Sequence, residues 1–132
     1  RYKRGVFALY TALFLHDLTD RTPHKFHMAF PYGYNTSSPK AAGILCSCKK
    51  EPYYSLGIAL VDTPAGNTVR AYNAEKTLCE ILKPISHTDI QIITDAFKRY
   101  AGRKDKNIPL LSEYAHQLRV EKRLRPYLEV LL

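Results

Sequence analysis

The chain is short of the features that usually announce chemistry. Its six glycines are dispersed, so none of them builds a loop to cradle a phosphate, and no Gly-x-Ser-x-Gly elbow presents a nucleophile. No apolar run approaches the roughly 18 residues of a membrane span, and no membrane association is expected. Cysteine is sparse. Cys46, Cys48 and Cys79 are an odd number, with no charged-then-apolar leader ahead of them, which reads as reduced thiols in the cytoplasm. Cys46 and Cys48 would share one face of a strand. Only Cys79 and scattered histidines could complete a metal site, so plain buried thiols and no metal are expected.

Paired catalytic groups are missing too. Glu75 and Glu80 lie five apart, about 500° around a helix, and so do not share a face. Glu75 suits the first turn of a helix, where a carboxylate meets the positive end of the dipole. Cys79, mid-helix on the side of Leu78 and Leu82, has no adjacent base. His24 and His27 straddle a strand start on opposite faces, and His16 reads as a capping or core histidine. No catalytic residue and no cofactor is expected, and the chain reads as a non-enzyme.

What is present is charge, unevenly placed. The net is +8, carried by 20 basic and 12 acidic residues. Residues 1–25 hold five basic and two acidic side chains, and residues 26–97 hold six of each. Residues 98–125 then hold nine basic side chains against Asp105, Glu113 and Glu121. A neutral middle between basic ends predicts a polarised surface, suited to nucleic acid or an acidic partner. A merely solvated helical surface is the plain alternative.

The periodicity divides the chain. Residues 8–18 combine helix formers without a breaker and predict a buried helix. Lys25 to Phe30 alternates, with Phe26, Met28 and Phe30 on one face, as a strand does. Pro31 to Pro39 reads as a tyrosine-rich loop, followed by strands over Gly43–Lys49 and Gly57–Asp62. Thr63-Pro-Ala-Gly-Asn67 is a turn between β-rich runs and pairs Gly57–Asp62 with Thr68–Tyr72 in a hairpin.

Beyond Asn73 the period becomes helical. Asn73 caps a helix over Ala74–Lys83, and Ser86 or Thr88 caps the next, with Ile90, Ile93, Phe97 and Tyr100 as its apolar stripe. A third helix starts at Asn107, with Ile108, Leu111, Ala115 and Leu118 along one side. Pro126 is tolerable only in a first turn, so the last helix, striped by Leu124, Leu128 and Leu131, is expected to begin near Arg123. Cys79 and Leu82 are expected against the sheet, with Ile93 and Phe97 beside them. No repeat, linker or βαβ unit is apparent. The class is α+β: an N-terminal helix, a small, mostly antiparallel sheet with a hairpin, then a cluster of about four helices.

Thr11-Ala-Leu-Phe-Leu-His-Asp-Leu-Thr-Asp-Arg-Thr-Pro23 and Ala29-Phe-Pro-Tyr-Gly-Tyr-Asn35 are similar to the helix-then-strand pattern of the AbiEi family of abortive-infection antitoxins. Leu56-Gly-Ile58 with Thr63–Asn67 is similar to its hairpin, and Tyr72-Asn-Ala-Glu-Lys-Thr-Leu-Cys-Glu-Ile81 to its following helix. Leu118-Arg-Val120 and Tyr127–Leu132 resemble its closing helices. Lys76 stands where the family carries arginine and Glu80 where it carries aspartate, so charge is kept while the forked geometry is lost. Pro126 is likewise unusual there.

The resemblance implies a C-terminal antitoxin domain over residues 1–132, whose partner is a nucleotidyltransferase-type toxin. It implies that an N-terminal winged helix-turn-helix, absent from this chain, would bind operator DNA and repress the operon. Because the chain opens on Arg1 rather than Met, it reads as a piece of a longer protein. The expected working surface is basic and formed by Lys98, Arg99, Arg103, Lys104, Arg119, Lys122 and Arg123, facing the toxin or nucleic acid. A nucleic-acid-binding or dimerisation module of a bacterial transcriptional regulator is the alternative.

Overall fold

A computed structural model describes residues 2–131. The chain is α+β, with a five-stranded sheet and helices gathered toward its C-terminus. A two-residue strand, β1 (Val6–Phe7), precedes the expected first helix, α1 (Leu9–Leu15). Asp17 in the left-handed conformation (φ 57°) ends that helix, with the Leu18 amide returning to the Leu13 carbonyl. Strands β2 (His27–Pro31), β3 (Leu45–Lys49), β4 (Ile58–Asp62) and β5 (Thr68–Tyr72) follow, in the spatial order β3-β2-β1-β5-β4.

The hairpin forms as the turn chemistry predicts. Val61 pairs with Val69, and Gly66 (φ 88°) takes the left-handed backbone that the turn requires. The sheet, however, is mixed rather than mostly antiparallel. β2 runs parallel to β3, and β1 runs parallel to β5. The first of these pairings needs a crossover, and a one-turn helix, α2 (Ser37–Ala41), provides it. This is the βαβ unit that the sequence conceals. Five helical residues inside a string of turn formers are too few to show a helical period.

The later helices are α3 (Ala74–Leu82), α4 (Ile90–Ala101), α5 (Ile108–Gln117) and α6 (Glu121–Leu131). Asn73 and Asn107 cap α3 and α5 as expected, each side chain accepting a hydrogen bond from a backbone amide three residues on. The α4 cap is Asp89, not Ser86 or Thr88. Those two hydroxyls bond each other at 2.9 Å, and Ser86 also reaches the Ile81 and Lys83 carbonyls. α6 starts at Glu121, two residues before Arg123, which puts Pro126 inside the helix. The carbonyl that Pro126 leaves without a donor is that of Lys122, an exposed residue, so water can satisfy it.

The main core lies among the helices. Leu13, Leu78, Ile81, Ala96, Phe97, Tyr100, Leu111 and Leu124 are all 2 % exposed or less. Cys79 faces α5, its thiol donating to the Leu111 carbonyl at 3.6 Å, so the expectation that it packs on the sheet is corrected. Burial pushes that thiol up to about 12, which makes it a poor nucleophile. Cys46 is half-buried and Cys48 exposed, so of the three thiols only Cys79 is a core residue. On α4 the apolar stripe is Ile93, Phe97 and Tyr100 joined by Ile92 and Ala96, while Ile90 stays 63 % exposed.

Candidate partner-binding surface

The seven predicted cations sit on the C-terminal half, in unequal circumstances. Lys98 and Arg99 occupy the last turn of α4 and are exposed. Arg99 forms an i,i+4 pair with Asp95 at 2.8 Å. Arg103 is not a free cation. Its guanidinium grips Asp105 through two 2.8 Å hydrogen bonds and donates a third, at 3.0 Å, to the His16 carbonyl. Those bonds hold Arg103 above and Asp105 below their ordinary pKa values.

Lys104 lies exposed in the α4–α5 connection. Arg119 takes a left-handed backbone (φ 60°) after α5, and the Val120 amide reaches back to the Ala115 carbonyl. That tight corner places Arg119 immediately before Lys122 and Arg123, which are exposed in the first turn of α6. α6 packs against both α4 and α5, and the Phe97 and Tyr127 rings stack at 4.4 Å. Among the described residues, no side-chain hydrogen bond or ion pair engages Lys98, Lys104, Arg119, Lys122 or Arg123. Lys106 is spent differently, closing α4 by donating to the Ala101 and Arg103 carbonyls.

Two sets of polar contacts that the sequence did not reveal join elements of this half. Tyr100 donates to Glu75 Oε2 at 2.6 Å and accepts from the Asn107 amide at 2.8 Å. His16 Nε2 lies 2.8 Å from the Tyr72 carbonyl, and burial, followed by the charge of Arg103, lowers its pKa. His16, Arg103 and Asp105 line an open cleft of about 410 Å³. Each of these groups is held by another, which fits a clamp between elements. The apolar spacing around residue 100 signals a core position but gives no hint of a hydroxyl partner 25 residues away.

A second cluster lies under the sheet. The Lys76 ammonium is fully buried and donates to the Tyr53 and Leu56 carbonyls at 2.8 and 2.9 Å. Glu80 Oε1 is 3.4 Å from it and 3.1 Å from Lys49 Nζ, both ion-pair distances. Glu75 and Glu80 thus serve separate clusters, in line with their spacing. Among the described residues, no group of three His, Cys, Asp or Glu side chains could hold a metal, and no helix is long and apolar enough to cross a membrane. No family model matches the chain, and no curated protein matches it either.

Proposed function

We propose that this chain is an AbiEi-type antitoxin domain that counters a nucleotidyltransferase toxin and has no catalytic activity of its own. The observation that carries the reading is the set of uncommitted cations on α4, the α5–α6 corner and α6. Lys98, Lys104, Arg119, Lys122 and Arg123 are exposed, and among the described residues their side chains have no hydrogen-bond or ion-pair partner, which leaves them open to an acidic protein or to nucleic acid. Arg103 is better assigned to the clamp, since its guanidinium already makes three hydrogen bonds. The ordered strings over 11–35, 56–81 and 118–132 add the family resemblance. They carry the cytoplasmic, operon-repressing context with them, operator DNA being the business of a separate winged helix-turn-helix.

The test is co-expression with an AbiE-type nucleotidyltransferase toxin, scored by growth. The triple reversal Lys98→Glu, Lys104→Glu and Lys122→Glu should fold, because exposed charges contribute little to stability, yet lose rescue. Rescue by a variant whose circular dichroism is unchanged would reject this surface as the working one. The same free cations favour one second reading, a nucleic-acid-binding module. In that case affinity for duplex DNA falls steeply with salt and the same reversal flattens the slope.

A further inference from the structure

A different part of the molecule carries a site of its own. Strand register puts Phe7, Met28, Cys46 and Ala71 on one face of the sheet, and Val6, Ala29 and Tyr72 on the other. α3 lies under the second face, where the Lys76 ammonium sits 3.8 Å from the centre of the Tyr72 ring. On the first face Met28 and Ala71 are buried, and one end stays accessible. Phe26 is 56 % exposed, and Phe7, Val61 and Val69 are half-buried. Phe7 and Phe26 meet edge to face, with centroids 5.6 Å apart at 69°, which holds the rings without covering both faces of each.

Beside them lies a depression of about 340 Å³, lined by Phe7, Phe26, Met28 and Val69 together with Lys3. That volume is at the low end for ligand pockets, which run from roughly 300 Å³ upward. None of the described residues that line it is acidic. The Arg70 guanidinium is engaged on the Tyr72 side, donating to the Lys3 carbonyl and to the Tyr54 hydroxyl, while the Lys3 side chain is exposed.

An exposed aromatic ring at the accessible end of the face, with the exposed Lys3 lining the same depression, matches the chemistry of an unpaired nucleotide: a flat base next to an anionic phosphate. A second copy of the chain fits poorly, because face-to-face pairing would bring two copies of the exposed Lys3 together. We propose that this face binds single-stranded nucleic acid, with a base stacked on Phe26 and its phosphate paired with Lys3. This site is separate from the helical cations of the previous proposal and stands without them.

The experiment is fluorescence anisotropy of the full chain with labelled oligothymidylate, oligouridylate and a hairpin duplex, across a salt series. The single strands should bind more tightly than the duplex. Phe26→Ala should weaken them by roughly 5- to 100-fold, as loss of one stacking ring does, while Phe26→Tyr retains binding. Lys3→Gln should lower the salt slope by about 0.7, one single-strand phosphate. The helical triple reversal should leave the single-strand preference in place. Phe26 is largely exposed, so its variants should keep the wild-type circular dichroism and melting profile.

Absence of binding, equal affinity of Phe26→Ala, equal affinity for the duplex, or displacement by polyglutamate as readily as by unlabelled oligonucleotide would each overturn the proposal. Loss of all binding in the helical reversal alone would overturn it too, and would assign nucleic acid to the helices. Growth rescue reads the antitoxin proposal separately, so the two can fail independently.

Discussion

The ammonium of Lys76 lies 3.8 Å from the centre of the Tyr72 ring and ties the Tyr53–Leu56 segment to α3 through two backbone carbonyls. A buried cation is tolerable only with its hydrogen bonds made, and this one also has Glu80 at ion-pair distance. Lys76→Met should therefore destabilise the protein by about 3–5 kcal/mol in urea titration, because it strands the two carbonyls and leaves Glu80 to Lys49 alone. A loss below about 1 kcal/mol would show that the cluster contributes no net stability.

The same lysine predicts a pH dependence. Burial lowers its pKa to about 8, against 10.5 ordinarily, so the unfolded chain holds the proton more tightly than the folded one. Between those values the unfolded state binds more protons, and the contribution of Lys76 to stability rises with pH. The upward shift of the Cys79 thiol acts in the opposite direction above pH 9. The margin of the wild type over Lys76→Met isolates the lysine, and it should widen from pH 8 to 10. A constant margin would show that Lys76 titrates normally.

Gly57 is bound to the same cluster. Its backbone is left-handed (φ 82°), and an added Cβ would lie 2.7 Å from Lys76 Cβ. Gly57→Ala should cost about 1–3 kcal/mol from backbone strain alone, with the steric clash in addition. Thermal melts that leave the variant at the wild-type midpoint would refute this.

Phe97 is 2 % exposed and stacked on Tyr127. Phe97→Ala should cost about 3–5 kcal/mol by denaturant titration, with a change under about 1 kcal/mol contradicting the packing described.

Tyr100→Phe removes a hydroxyl that serves Glu75 and the Asn107 amide together. Leaving a buried carboxylate short of a donor should cost about 1–3 kcal/mol. Hydrogen exchange should speed up at Asn107 and at the start of α5; unchanged protection there would argue against the bond.

Local patterns were enough to locate most elements of this protein. Asn73 and Asn107 announce helix starts because their side chains bond amides within the same turn. The hairpin is equally local, since the Thr63–Asn67 turn chemistry sets its register. The α+β class and the exposed cations of the last helices could likewise be read in advance, the cations because apolar stripes on neighbouring helices turn them outward.

What the sequence could not determine was long-range. Strand β1 is two residues long, and its place between β2 and β5 exists only in the assembled sheet. The parallel pairing of β2 with β3 depends on a crossover too short to carry a period. Arg103 and Lys98 look alike as sequence. Only the packing of α1 against the α4–α5 connection brings the His16 carbonyl to Arg103, converting one predicted surface cation into a clamp. Lys76 belongs to the same category. Its spacing places it on α3, but the carbonyls that make its burial possible come from residues 20 and 23 positions away, and a hydrogen bond of that span is decided by the tertiary fold.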